Sequence, residues 1–482
     1  MSWRSLLVLL ILLFLALPGR AEVDIGTLLR QVYGSDACVK ESAVVGLGEV
    51  KDSRAVSALI MLLDDPSPTV RSRACSSLVA LGALAVPSLL QTLQFGNPEP
   101  RRQAALALGA LKEPRAVDLL LALLTNRQAS LRAAGAEALG NLRATKALDS
   151  LIAELRDDDP LVRWWAVWAL GMLKDQRALD YLVACLQKAD DPVMGIRAAE
   201  ALGNLGGNTA ESALLALLKH QDPALRAAAI AGLGRMHSKA TARVIDALED
   251  PAPEVRVAAV DFLGDCKEAS ALPALARGLG DKALEVRAAT ARALGATGDT
   301  RVLPGLKIAA QDGQQAVRLA AIDGMERMGA PALDLLAECL GRSPVSLRCA
   351  AALALGRLKN SQAVAPLLQA LRDRDPLMRL AVARALSDIG TAEATTPLLP
   401  ALQANAPEVV AGAYAVFIRT GQAGSENALT TALNQYGTAE MAAAFTRSGN
   451  AVLERFARDW ATAHQIILPA PTPDTPKWGV MK

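Results

Sequence analysis

Runs of Leu, Val and Ala at helical spacing recur in pairs along this chain, and the same punctuation separates the members of each pair. RAVDLLLALL (115–124), RALDYLVACL (177–186) and QAVAPLLQAL (362–371) each place apolar residues three or four apart, which predicts a first helix with one buried stripe. A break follows, clearest at Asp159-Pro160, Asp191-Pro192, Asp222-Pro223 and Asp375-Pro376. Asp is a good N-cap and Pro suits the first helical position, so the dipeptide starts a second helix. Ser67-Pro68 and Asn97-Pro98 read the same way with other capping residues. The second runs share one template, as DPLVRWWAVWALG (159–171), DPALRAAAIAGLG (222–234) and PEVRVAAVDFLG (253–264) show. They close on Gly140, Gly171, Gly234 and Gly295, where a left-handed C-cap is expected.

The arginine of this template serves as a phase marker. It falls at Lys40, Arg71, Arg101, Arg132, Arg163, Gly195, Arg226, Arg256, Arg287, Arg318, Arg348, Arg379 and Val410, with successive gaps of 30 to 32 residues. Gly195 and Val410 are departures, and Arg197 stands two residues after the first of them. A degenerate further copy centres on Met441. At about 100° per residue, positions −1, +3, +6 and +7 from the marker share one face of the second helix. Small residues at +3 and +6, such as Ala166 and Ala169, let neighbouring helices approach closely. One such hairpin is apolar on both flanks and cannot bury them alone. Stacking solves this, so the pattern predicts an all-α, right-handed α-solenoid of about 13–14 helix-turn-helix repeats of ~31 residues.

Composition agrees. Hydrophobic residues are 52% of the 482 but aromatics only 3%, so the core is built of Ala, Leu and Val rather than of large rings. Fifty-one basic against 49 acidic residues exclude a strongly basic nucleic-acid binder, and no nucleic-acid partner is expected. Residues 1–21 read as a signal peptide: Arg4, then an unbroken apolar run from Leu6 to Leu17, then small residues at Gly19 and Ala21 before a cut. Twelve apolar residues are fewer than the roughly 20 that span a bilayer. The expected mature chain starts at Glu22, is exported to the periplasm or beyond, and is soluble, with no membrane span. It divides into a solenoid over 22–449, a capping helix over 450–466 that sets Trp460 against the last repeat, and a Pro-rich tail over 467–482 whose composition favours disorder over docking of Trp478. Cys38–Cys75 and Cys339–Cys349 are the pairs that neighbouring helices bring within reach of a disulfide, and the six cysteines match no zinc spacing.

The recurring xVRxxAxxALG motif resembles the HEAT-repeat superfamily, in particular the short HEAT-like repeats named after phycobilisome lyases. The resemblance covers roughly residues 24–420 and identifies a fold rather than an activity. HEAT units are commonly about 40–47 residues, and the shorter period here points to the lyase-like subclass. The resemblance also implies a ladder in which Asp and Arg near the turn bond between adjacent repeats. By that analogy Asp159, Arg163, Asp222, Arg226, Asp375 and Arg379 carry a structural role.

Chemistry-bearing residues are sparse. Three histidines (His220, His237, His464) stand far apart, with no His-Glu dipeptide of the iron-binding HEAT-like hydroxylases, no Gly-rich phosphate loop and no Gly-x-Ser-x-Gly elbow. No cofactor, metal or catalytic residue is assigned. The expected function is a non-catalytic scaffold that binds a protein or peptide on the concave face of the solenoid. The alternative is a chromophore-attachment subunit related to HEAT-like phycobilin lyases. One repeat stands out as a candidate site. Positions +1 and +5 lie opposite the core face, and the fifth repeat has Trp164 and Trp168 there with Trp165 on the flank. Glu137 and Glu200 on adjacent repeats and Arg197 nearby complete the candidate surface. The tryptophans have two readings, filling a groove between helices or offering an aromatic platform to a partner.

Overall fold

The computed structural model describes residues 25–34, 37–186, 192–342, 344–404, 406–466, 468–469 and 475–480. The export segment 1–21, Asp191 and the Cys38 side chain lie outside these residues. Every regular element among the described residues is helical. The chain divides into two compact units at Leu205/Gly206, each an α-solenoid of the expected hairpins. In the first unit, the first helix Val117–Leu124 packs on its own second helix Ala129–Leu142, which lies between Pro98–Ala110 and Pro160–Leu173. In the second unit, Pro253–Cys266 lies in the same way between Pro223–Arg235 and Leu284–Thr297.

The second helices start where the dipeptides predict. The carboxylates of Asp159, Asp222 and Asp375 accept from the backbone N–H of Leu161, Ala224 and Leu377 at 2.8 to 2.9 Å. Ser67 reaches Val70 at 3.5 Å. Asn97 is the exception: its side chain makes no cap and Nδ2 points to Asp64 at 3.4 Å. The core face also falls as the wheel predicts, with Val162, Ala166, Ala169 and Leu170 fully buried in the fifth repeat. The opposite face is less uniform than expected. Ala133 and Ala288 at +1 are buried, because a methyl group is short enough to be covered by the adjoining helix, while Asp261 and Arg292 at +5 are exposed.

The template glycine does a different job from the one its position suggests. Gly140, Gly171, Gly234 and Gly295 lie inside their helices, which run one to two residues further. The left-handed residue comes at marker +11, at Arg143, Lys174, His237 and Gly298 with φ between 50° and 73°. The glycine instead marks a crossing between second helices. A Cβ on Gly171 would lie 2.7 Å from Cα of Ala201, and one on Gly109 would lie 2.7 Å from Cα of Ala138. A hydrogen side chain is therefore a packing requirement at these positions.

The C-terminal end of the second unit is closed by Ala451–Ala463, whose Leu453, Ala457, Trp460 and Ala461 are buried against Glu426–Tyr436 and Ala439–Phe445. Residues 475–480 dock rather than trail away, contrary to the expectation from composition. Trp478 donates its backbone N–H to Ser448 O at 2.7 Å, and Gly479 donates to Ile418 O at 2.9 Å. Lys477 Nζ caps Arg447 O at 2.6 Å. These bonds use carbonyls left over at helix ends, a source of order that composition does not reveal. Neither candidate disulfide forms: among the described residues Cys75, Cys339 and Cys349 are free thiols, as are Cys185 and Cys266.

Two glycines in the second unit separate sterics from propensity. Alanine is worth about 1 kcal/mol over glycine inside a helix. At Gly234 the nearest atom to a Cβ is Phe262 Cδ2 at 3.7 Å, so Gly234→Ala raises the melting temperature. At Gly295 a Cβ overlaps the backbone of Gly324, so Gly295→Ala lowers it, by the equivalent of about 1–3 kcal/mol. Thermal melts of the two variants check this, and a rise in both rejects the crossing argument.

Candidate functional site

The marker arginines form the most regular polar feature. In a complete rung the guanidinium is used twice. Nη1 of Arg256 donates to the Asp250 and Pro251 carbonyls of its own turn at 2.7 and 3.1 Å, and Nε and Nη2 grip the Asp281 carboxylate of the next repeat, both at 2.7 Å. Arg132–Asp157, Arg226–Asp250 and Arg287–Asp312 repeat the arrangement, with their closest N–O contacts at 2.6 to 2.8 Å. Arg348 holds Asp373 more loosely at 3.3 Å, and Lys40 pairs with Asp65. The receiving carboxylate stands six residues before the next marker. Where that place is Phe95 or Ala404, a glutamate two residues before the marker takes over, as in Arg71–Glu99 at 3.0 Å and Arg379–Glu408 at 2.8 Å.

This geometry redistributes the ladder residues expected from the resemblance. Arg226 and Arg379 tie adjacent repeats together as expected. Arg163 Nη1 holds its own turn through Asp157 O and Asp158 O at 2.8 and 3.1 Å, and the turn that follows it, at 187–191, lies outside the described residues. Asp159, Asp222 and Asp375 serve as N-caps, and the rung belongs to carboxylates two residues upstream, such as Asp157 and Asp373. A turn of five or six residues can present two acids, and sequence spacing does not say which one faces the neighbouring repeat.

The fifth-repeat tryptophans do form one cluster. Trp164 and Trp165 have ring centroids 4.6 Å apart, and Trp165 meets Trp168 edge-on at 5.4 Å. All three are half-buried. Arg197 lies over the Trp164 ring, its guanidinium carbon 4.8 Å from the centroid, and its Nη1 donates to Glu200 Oε2 at 2.7 Å. Such a cation–π contact is worth about 0.5–1 kcal/mol at a partly exposed site. On the other side, Trp168 reaches back to Gly140, where a Cβ would lie 2.6 Å from its Cζ3. Trp164 Nε1 is buried with no acceptor among the described residues. The rings thus pack partly against neighbouring helices, Trp168 over Gly140, and each keeps part of its surface exposed.

On the preceding repeats, a set of ionisable groups around Arg102 is electrostatically perturbed. Burial pushes the Glu137 carboxyl above its ordinary range, against the pull of Arg102. Arg102 itself is held by Glu99 through Nη2–Oε1 at 2.7 Å, and the Arg102 bond draws Glu99 down to about 2. Burial raises the Cys75 thiol to about 11, so it is not a thiolate nucleophile near neutral pH.

Against known proteins, the repeat pattern finds its family. Segments matching HEAT repeats overlap from residue 27 to residue 417. The chain belongs to the HEAT-repeat family. Within it, 93 residues are 37% identical to the phycocyanobilin lyase subunit beta of Nostoc sp. (strain PCC 7120), covering 19% of this chain and 46% of that protein. Another 91-residue match, 38% identical, is to the bilin biosynthesis protein RpcF of Synechococcus sp. (strain WH8020), covering 19% of this chain and 44% of the relative. The chain thus spans less than half the length of either relative. These matches place the HEAT repeats in the short, phycobilisome-lyase-like class. Among solved structures, yeast importin-beta (Kap95p) aligns over 92% of this chain and 72% of its own at 14% identity and a TM-score of 0.48. The complex of CpcE and CpcF of phycocyanin lyase from Nostoc sp. PCC7120 aligns over 31% of this chain and 99% of that chain, at 28% identity and a TM-score of 0.29.

One rung of this HEAT ladder carries a pH signature. The Arg132 guanidinium holds Asp157 at about 2, while burial, with the Asp157 carboxyl alongside, raises Glu154 to about 7. A raised carboxyl favours the folded state in its protonated form, so that contribution is full below its ordinary value of 4.5 and lost as pH rises through about 7. Asp157 acts with the opposite sign, its contribution lost only as pH falls from 3.8 toward 2. Glu154→Gln therefore raises the melting temperature at pH 8 and changes it little at pH 5. Melting curves across that range check it, and an equal shift at both ends rejects the assignment.

Proposed function

We propose that this HEAT-repeat protein is an exported, non-catalytic scaffold that holds a protein or peptide segment on the second-helix face bearing Trp164 and Trp168. The half-buried tryptophan cluster carries the reading. Three indoles within five residues, two of them ring-to-ring with the third, concentrate contact area in a chain that is only 3% aromatic. Tryptophan dominates binding hot spots, where truncation costs about 2 kcal/mol or more. The charged rim suits a segment with a basic side chain: Glu137 is a carboxyl with no hydrogen-bond partner among the described residues, whereas Arg197 and Glu200 satisfy each other. A lysine or arginine from the partner would meet an indole face and a carboxylate together. Export is supported by the charged, apolar and small-residue order of residues 1–21. Among the described residues no helix is long and apolar enough to cross a membrane.

A second reading, favoured by the local identity to bilin lyase and bilin biosynthesis proteins, is a subunit assisting chromophore attachment. It predicts that the purified chain retains visible absorbance after incubation with a bilin and gel filtration, which a peptide scaffold does not.

Two measurements test the main reading. Trp164→Ala with Trp168→Ala should abolish partner capture from the exported fraction while shifting the melting temperature by only a few degrees. A large loss of stability with capture intact assigns the rings to packing alone. Mass spectrometry of the exported protein should show a chain beginning at Glu22, and an intact Met1 in a membrane pellet overturns the export assignment.

A further inference from the structure

The ladder has a gap in the first unit, and a cavity opens there. Following the rule of the other rungs, Arg101 should grip a carboxylate six residues before Arg132, but that residue is Asn126. Asn126 keeps half of the usual task. Its Oδ1 accepts from Gln128 N at 2.9 Å, as Asp157 Oδ1 accepts from Asp159 N at 2.8 Å. This bond fixes the orientation of the amide, so the position that elsewhere offers a second carboxylate oxygen here offers the Nδ2 donor. A guanidinium cannot bond to that donor. Arg101 swings away and gives Nε to Leu93 O at 3.0 Å, leaving its two Nη groups with no acceptor among the described residues. Asn126 Nδ2 has none either.

Arg101 and Asn126 both line a cavity of about 460 Å³, together with Pro98, Thr125, Arg127 and Leu131. No acid is among its lining residues. The site therefore presents a guanidinium, a second arginine and an amide donor, and no carboxylate of its own. We infer that this cavity binds a carboxylate, which completes from outside the rung that Asp supplies in other repeats. The inference goes beyond the tryptophan face and does not depend on it. Its ligand class comes from the molecule itself. Wherever the described partner position is acidic, the marker arginine binds a carboxylate through one or two N–H groups, as Arg132 does with Asp157 at 2.6 and 2.8 Å. The volume is in the range of small-ligand pockets, about 300–1,000 Å³, so a side-chain carboxylate with its neighbouring atoms fits.

The test uses the full chain and two probes, succinate and a blocked pentapeptide carrying two aspartates, in low-salt buffer with binding read by calorimetry. Wild type binds at least one probe, and affinity falls as salt is raised. Asn126→Asp closes the rung internally, so it raises the melting temperature and weakens binding by about tenfold or more. Arg101→Gln weakens binding to the same degree without that gain in stability. Binding of the peptide alone assigns the site to an acidic protein segment, and binding of both probes shows that a free carboxylate suffices. Absence of binding at millimolar concentrations, or equal affinity in wild type and Asn126→Asp, overturns the inference.

Discussion

The two-handed grip of the marker arginine sets the register of each unit. One edge of the guanidinium closes its own inter-helix turn, and the other holds a carboxylate in the next. That carboxylate is itself divided, one oxygen taking the backbone N–H two residues on and the other edge taking the guanidinium, as in Asp281. A turn is thereby built by its own arginine, its own aspartate and the arginine before it. Buried ion pairs contribute little net stability against an apolar alternative, yet breaking one costs about 3–5 kcal/mol because a charge is stranded. With Arg256 only 4% exposed, the ladder is better understood as fixing which turn meets which than as a reservoir of stability.

Such a device matters because the core cannot specify register by shape. Alanine and leucine dominate the packed faces, and interchangeable methyl groups offer few knobs that fit one hole only. What the core does offer is closeness. Glycine at marker +8 and alanine at +3 and +6 bring second helices together until backbone atoms touch, which leaves no space for large rings. The low aromatic content is thus a consequence of helix-on-helix proximity.

The sequence made the period, both helices of the hairpin, the second-helix caps and the buried stripe legible, because each is written in the spacing of apolar residues or in a capping dipeptide. It misplaced features that depend on a partner from another repeat. Asp159 and Asp157 are equivalent acids in the string, and only the fold shows that the first caps a helix while the second receives Arg132. Gly171 has the spacing of a C-cap, yet the left-handed residue is Lys174, three positions on, since the crossing with Ala201 needs the glycine more. Docking of Trp478 was illegible for the same reason: its acceptor at Ser448 belongs to another element.

The candidate surface follows from a break in this economy. In the sixth repeat the marker place is Gly195, which is buried, and an arginine appears two residues later. Two residues are about 200° of helix, enough to carry the guanidinium from the turn side to the opposite side. There Arg197 stacks on Trp164 and pairs with Glu200 instead of holding a rung. The cation that the ladder gives up is the one that orients the indole cluster, so the departure from the template and the aromatic surface are one structural change. Gly140 belongs to the same change, because it admits Trp168 at the place where a side chain would displace the ring. A helix-crossing glycine, present for packing in other repeats, here also seats the aromatic group, and this is how a uniform array acquires one distinctive face.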